Sequence, residues 1–209
     1  MSTRYARSAL KSVIERTLAA VLLLVGLAPV MAACAIAVAL RDGWPVIYVS
    51  TRVGRSGRRF GLLKFRTMRL ETGRAITAGG DPRITPLGSV LRRWKLDELP
   101  QLWNVIRGDM SLIGPRPESP EFVDETSAVW AEILEVPPGI TGAASVAYFN
   151  EEETLRGASD PIALYRNRIL PEKLAIERRY LNSCSPGGDA RLLIHTLRRL
   201  FETGGRQVE

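Results

Sequence analysis

A chain of 209 residues, 45% hydrophobic and 24% charged, has the size and make-up of one packed domain, which excludes a disordered or low-complexity protein. The net charge of +7 is uneven: residues 1–74 hold 13 Lys/Arg against Glu15, Asp42 and Glu71, and the remainder is net acidic. Two distant cysteines, Cys34 and Cys184, exclude a disulfide framework or zinc site, and the single His195 reads as a helix-surface residue.

The first element is apolar. Thr17–Leu40 runs 24 residues without a charge, about 36 Å of helix and enough to cross a hydrocarbon core. Both flanks are basic: Arg4, Arg7, Lys11 and Arg16 precede it, and Arg41, Arg52, Arg55, Arg58 and Arg59 follow. Cations around an apolar segment suit anionic headgroups better than nucleic acid. Pro29 sits mid-segment, where it removes a backbone hydrogen bond. Three readings compete: a re-entrant hairpin broken at Pro29, a straight span, and a signal peptide ending at Met31-Ala32-Ala33-Cys34. Basic residues on both flanks and the central proline fit the hairpin. The apolar run continues past Cys34, unlike a polar mature N-terminus.

Trp44-Pro45 reads as an interfacial corner. Val46–Val53 and Phe60–Met68 are β-rich runs around Gly54-Arg55-Ser56-Gly57, a hairpin pattern. Gly73–Pro86 reads as a loop. Leu87–Trp94 and Leu99–Ile106 read as helices, the second with Leu99, Leu102, Trp103 and Ile106 on one face and Gly108 as its stop. Ser111–Pro117 reads as a tight loop, Glu121–Leu134 as an amphipathic helix and Pro137-Pro138-Gly139 as a turn. Pro161–Tyr180 and Asp189–Phe201 read as helices. The expected fold is α+β and helix-rich: an anchor over residues 1–43, then a domain over 44–209 built on a small hairpin and amphipathic helices.

The chemistry concentrates in Asp81–Glu118. Asp97 and Glu98 stand beside Arg92, Arg93, Lys95 and, further on, Arg116. Adjacent acids among cations suit a divalent metal and a phosphate group. The plainer alternative makes Asp97 an N-cap and Glu98 a first-turn acid, which leaves the cations unexplained. A helix N-terminus would also attract phosphate and keep a carboxylate ionised, as a nucleophile requires.

Five ordered motifs carry a resemblance: Lys64-Phe65-Arg66-Thr67-Met68, Asp81-Pro82-Arg83, Leu96-Asp97-Glu98-Leu99-Pro100-Gln101-Leu102, Gly114-Pro115-Arg116-Pro117-Glu118 and Pro138-Gly139-Ile140-Thr141-Gly142. In these the chain resembles the bacterial sugar transferases, the monotopic phosphoglycosyl transferases, in their minimal catalytic form. The resemblance implies a two-step reaction at the cytoplasmic face of the bacterial inner membrane. Asp97 would attack the β-phosphorus of a UDP-sugar, release UMP and carry the phosphosugar. Polyprenyl (undecaprenyl) phosphate would then accept it, the first membrane step of glycoconjugate or exopolysaccharide synthesis. Glu98 would ligate Mg2+, and Arg92, Arg116, Lys64, Gln101, Arg83 and Pro115 would bind substrate.

The family's membrane helix breaks at Ser-Pro, where this chain has Ala28-Pro29. Lys64, Arg66 and Arg83 also admit a reading as lipid-facing or surface cations, Gln101 as a polar helix face, and Trp94 and Trp103 as core or interfacial anchors. The rival function is a membrane-tethered basic binding or scaffold protein that needs no placement of Asp97, Glu98 and Arg116. Neither the sugar nor the oligomeric state is written in any residue type.

Overall fold

A computed structural model describes residues 2–69, 77 and 79–204. Part of the expected loop, residues 73–76 and 78, lies outside the described residues. The chain opens with α1 (Ser2–Ala6) and α2 (Ala9–Val21), capped by the Ser8 hydroxyl on Lys11 N–H. A π-helical stretch, Leu22–Leu27, joins α2 to α3 (Ala28–Arg41), with Pro29 in the first turn of α3. Helical backbone is continuous from Ala9 to Arg41, so the helix does not break at Pro29 as expected; the π-helical stretch before it takes up the missing N–H. Ala9–Arg41 is the one helical segment among the described residues long and apolar enough to cross a membrane.

The antiparallel hairpin forms as the β-rich runs predict. β1 (Ile47–Val53) pairs with β2 (Arg59–Phe65), Ile47 opposite Phe65 and Val53 opposite Arg59. Ser56 and Gly57 turn the chain with φ of 56° and 75°. β2 ends three residues earlier than expected, and Met68 instead bridges Ile84. α4 (Pro86–Arg93) follows, capped by Thr85 on Gly88 N–H. Next come a 3₁₀ turn, Leu96–Glu98, and α5 (Gln101–Arg107), which ends at Gly108 with φ 85°.

Three expectations need correction here. Ser111–Pro117 and Pro137–Gly139 are not merely loop and turn: β3 (Ser111–Ile113) and β4 (Gly139–Thr141) pair in parallel. Gly114 and Gly139 allow this, because a Cβ on Gly139 would collide with the Gly114 backbone. The expected helix over 121–134 shrinks to a 3₁₀ turn, Pro120–Phe122, and α6 (Ala128–Ile133). Asp124 breaks it by turning its carboxylate onto the Thr126 N–H and hydroxyl. The buried face of α5 is rotated, carrying Gln101, Leu102, Asn104 and Val105, while Trp103 and Trp94 are exposed and anchor no core.

α7 (Ala143–Ala147), α8 (Glu151–Leu155) and α9 (Pro161–Leu164) are short. α9 runs through a π-helical stretch, Tyr165–Ile169, into α10 (Leu170–Ser183), and α11 (Pro186–Gly204) closes the fold with His195 exposed. The largest apolar cluster joins Phe122, Trp130, Ile133, Leu155, Tyr165, Ile169 and Leu181. Two further clusters are shared with the N-terminal helix. Ala19 packs with Leu62, Leu102, Val105 and Met110; Cys34 and Val38 pack with Val46, Phe65 and Leu91. Both arms of the apolar segment therefore rest on the β2–α5 platform. Both cysteines are free and buried.

Candidate active site

The dyad owes its position to a sharp backbone turn. Lys95 takes the left-handed conformation, φ 54° and ψ 21°, unusual for a residue with a Cβ. It ends α4 and directs the 3₁₀ turn so that Asp97 and Glu98 both point into the protein, at 4% and 9% exposure. Asp97 is therefore no N-cap: α5 begins at Gln101 after Pro100, with no side-chain cap. A helix N-terminus does not explain the dyad.

Asn104, fully buried on α5, locks the register. Its side-chain oxygen accepts from Leu63 N–H at 3.0 Å and its amide donates to Gly61 O at 2.8 Å. This fixes α5 against β2 and brings Lys64 to Glu98. Lys64 Nζ lies 3.1 Å from Glu98 Oε1. Arg116, on the loop after β3, holds the same carboxylate with both terminal nitrogens, 2.5 Å to Oε1 and 3.3 Å to Oε2. The Arg116 loop is itself held against β4 by Gly139 N–H on Pro115 O at 2.8 Å and Gly114 N–H on Thr141 O at 3.0 Å.

The two acids are electrostatically unequal. Burial alone would raise Glu98, but the Arg116, Lys64 and Lys95 charges overcome it and hold its carboxyl well below the usual range. Burial raises Asp97; Lys64 pulls it back, and the neighbouring Glu98 charge adds to the rise. Asp97 Oδ1 is buried with no hydrogen-bond partner. Such an oxygen is costly unless something fills the position. Glu98 is thus the fixed anion, and Asp97 the more basic carboxylate with a free lone pair.

The remaining site residues divide into two groups. Arg92, in the last turn of α4, donates to Thr67 Oγ1 at 3.3 Å and pairs with Glu152 of α8; its Nε is buried and unpartnered. Gln101 is 1% exposed with its amide nitrogen unpartnered, so it is no solvent-facing helix polar. Lys64 and Arg116 contact Glu98, the Arg92 charge acts on Asp97, and Gln101 opens α5 three residues after Glu98. Arg83 is engaged by Asp81 within its own turn, 2.6 Å to Oδ2. Pro115 is buried, and its carbonyl serves the β3–β4 pairing.

Arg66 is not a surface cation. It is 5% exposed and donates to the carbonyls of Asp42, Gly43 and Trp44, tying the end of α3 to β2. Lys11, expected at the headgroups, is also buried: its ammonium meets Asp189 at 2.7 Å and Ile113 O at 3.0 Å.

Several positioning residues escape a reading of the sequence. Asn104 carries no local signal beyond a polar residue beside apolar neighbours. Lys173 is buried and donates to Glu118, Glu151 and Tyr165 Oη, each at 2.9 Å, behind the Arg116 loop. These partners lie up to 55 residues apart.

A magnesium ion commonly takes one or two carboxylates and leaves its other positions to substrate phosphates. The unpartnered Asp97 oxygen beside Glu98 fits that donor set. Among the described residues no three His, Cys, Asp or Glu side chains are grouped so as to hold a metal ion.

A buried acidic pair faced by Lys64 and Arg116 lies beside the helix that packs on β2, and sequence comparison supplies the class of protein. The bacterial sugar transferase family model matches residues 6–203, and the chain belongs to that family of transferases. It is 37% identical over 191 residues to the UDP-glucose:undecaprenyl-phosphate glucose-1-phosphate transferase of Caulobacter vibrioides, covering 88% of this chain and 67% of that protein. It is 41% identical over 139 residues to the UDP-N-acetylgalactosamine-undecaprenyl-phosphate N-acetylgalactosaminephosphotransferase of Aeromonas hydrophila, covering 63% and 32%. A Bacillus subtilis protein, a "putative undecaprenyl-phosphate N-acetylgalactosaminyl 1-phosphate transferase", is 44% identical over 108 residues, covering 49% and 60%. The matched region thus spans from about a third to two thirds of these relatives' lengths.

Proposed function

We propose that this chain transfers a sugar-1-phosphate from a UDP-sugar to undecaprenyl phosphate through a phosphosugar carried on Asp97. The observation that carries the reading is the buried, unpartnered Asp97 oxygen beside a Glu98 clamped by Lys64 and Arg116. The relatives' substrates agree with it.

An Asp97 oxygen attacks the β-phosphorus, and the bond from that phosphorus to the bridging oxygen breaks, UMP leaving with the electron pair. An acyl phosphate remains, and its ester to the sugar is untouched. An oxygen of the lipid phosphate then attacks the same phosphorus, and the Asp97 carboxylate is released. Burial makes Asp97 the more basic of the two acids, which favours it as the nucleophile. Arg92 and Arg116 offer forked donors to the diphosphate. Lys64 pairs with Glu98, and the buried Gln101 amide is assigned to substrate. Glu98 would hold a magnesium ion, which would supply screening between the anionic nucleophile and the anionic substrate.

The apolar segment is read as a re-entrant anchor in the bacterial inner membrane, with both arms returning to a cytoplasmic domain. Supporting this, Ala19 of one arm and Val38 of the other are both fully buried against the domain, while Leu24 and Val25 between them are 74% and 79% exposed. Arg66 ties the far end to the same platform.

The test is UMP release from a panel of UDP-sugars, with protein in lipid discs and intact mass recorded. A phosphosugar-sized mass gain that vanishes in Asp97→Asn supports the reading. Near-normal transfer by folded Asp97→Asn removes Asp97 as nucleophile.

A further inference from the structure

We infer that Lys11 and Glu15 on the apolar helix are positioning residues for the candidate site, gripping β3 and thereby setting Arg116. The inference rests on the reading of Asp97, Glu98 and Arg116 as the reaction centre.

Two charged residues near the start of a membrane-seeking helix would ordinarily face water or headgroups. Here Lys11 and Glu15 are 6% and 8% exposed, one turn apart on the face that also buries Ala19. What they meet is strand backbone. β3 is three residues long and, among the described residues, has only β4 as a paired strand. Ser111 N–H goes to Pro138 O on the β4 side, so the next N–H, on Leu112, points the other way. A lone strand edge of this kind needs a partner. Glu15 Oε2 supplies it, 3.4 Å from Leu112 N, and the same oxygen accepts the Ser111 hydroxyl. Lys11 Nζ adds a bond to Ile113 O at 3.0 Å. Side chains of α2 thus stand where a third strand would.

The grip is braced from behind. Asp189 of α11 accepts from Lys11 at 2.7 Å, from Tyr180 Oη at 2.7 Å and from Tyr5 Oη at 3.0 Å. Lys11 and Glu15 are also 3.7 Å from one another. Lys11 is thus the cation set between two carboxylates, Glu15 and Asp189.

Ile113 leads straight into Gly114-Pro115-Arg116, whose guanidinium clamps Glu98. On the same α2 face, Ala19 packs on Leu102 and Val105 of α5, the helix that follows the dyad. One helix face therefore touches both limbs of the site, the Arg116 limb through β3 and the dyad limb through α5. A clamp geometry depends on such limbs being held within a fraction of an ångström.

The experiment compares the full chain in lipid discs with Glu15→Ala, Glu15→Gln and Lys11→Met. Readouts are UDP affinity by calorimetry, kcat and KM for UMP release, hydrogen exchange of residues 112–116, and melting temperature. Glu15→Ala and Lys11→Met are expected to weaken UDP binding and raise KM at least about fivefold, with faster exchange over 112–116. Glu15→Gln keeps an acceptor oxygen and is expected to recover most of the loss. A fall in melting temperature with UDP affinity and KM unchanged overturns the inference, because the contacts are then only structural. If Glu15→Ala does not fold, Ser111→Ala removes one bond of the grip and must show the same shift in smaller measure; wild-type values there overturn the inference. Wild-type protein that binds UDP while folded Asp97→Asn still turns over would sink the dyad assignment and leave the grip measurable. Absence of UDP binding by wild type would remove both.

Discussion

Replacing Glu152 by glutamine is expected to tighten the binding of UDP. In the structure Arg92 divides its donors between Thr67 and the Glu152 carboxylate. A substrate diphosphate that uses Arg92 must therefore displace Glu152. The side chains of the pair are 19% and 39% exposed, so separating them costs roughly 0.2–1 kcal/mol, the range of solvent-accessible ion pairs. The displaced carboxylate still faces the incoming phosphates. At about 6 Å in a largely aqueous setting, each phosphate charge adds about 0.7 kcal/mol of repulsion. Together these give about 1–2 kcal/mol, or roughly 5- to 30-fold in affinity. Calorimetric titration with UDP reads this directly, and the gain should shrink at high salt, where exposed charges are screened. Affinity that is unchanged or weaker in Glu152→Gln would refute the competition and make Glu152 a ligand-holding group instead.

Two further outcomes concern the support of the site. Glu177 is 3% exposed, and burial pushes its carboxyl up to about 7 from 4.5, against the Ala144 N–H that it accepts at 2.9 Å. The folded form holds the proton more tightly than the unfolded form, so its stability contribution is full below pH 4.5 and is lost as pH rises towards 7. The loss amounts to roughly 3 kcal/mol; Glu177→Gln should flatten this part of the stability–pH profile and melt higher at pH 8, and an unchanged profile would contradict the assignment. Gly88 lies against the Thr67 backbone, and a Cβ there would collide with the Thr67 carbonyl. Gly88→Ala is expected to cost at least about 2 kcal/mol, a fall of roughly 6 °C in melting temperature, with Arg92 binding to UDP disturbed as α4 shifts.

What the sequence discloses depends on how local the cause is. The β1–β2 hairpin is legible because its β-branched residues and its Gly54–Gly57 turn sit side by side. The helices expected over Leu87–Trp94 and Pro161–Tyr180 are found as α4 and as α9 running into α10, and the Thr85 cap on α4 is seen only in the structure. The Leu96–Glu98 turn leaves no periodic trace, since three residues cannot show one, and the left-handed Lys95 that aims it is not a glycine. β3 and β4 hide behind prolines and glycines because their pairing is a property of two backbones 28 residues apart in register. At the site, the acids and cations are legible as a composition of Asp81–Glu118. Their partnerships are not: Lys64 reaches Glu98 only because Asn104 fixes α5 on β2. Arg66 and Lys11 look like headgroup cations until their carbonyl and carboxylate partners are seen.

The buried stripe along the N-terminal helix bears on any attempt to make this protein soluble or to re-house it. Cutting the chain before Asp42 would strip cover from Leu62, Phe65, Leu91, Leu102 and Val105, trading one greasy surface for another. Exchanging the segment for an unrelated hydrophobic helix would keep its apolar length and discard the contacts of Ala19, Cys34 and Val38. Redesign has room on the opposite side, at positions such as Leu24, Val25, Ile36 and Leu40. The apolar helix is thus not a detachable module. Ala19, Cys34 and Val38 of its apolar run belong to the core of the domain, while most of the rest of that run stays open.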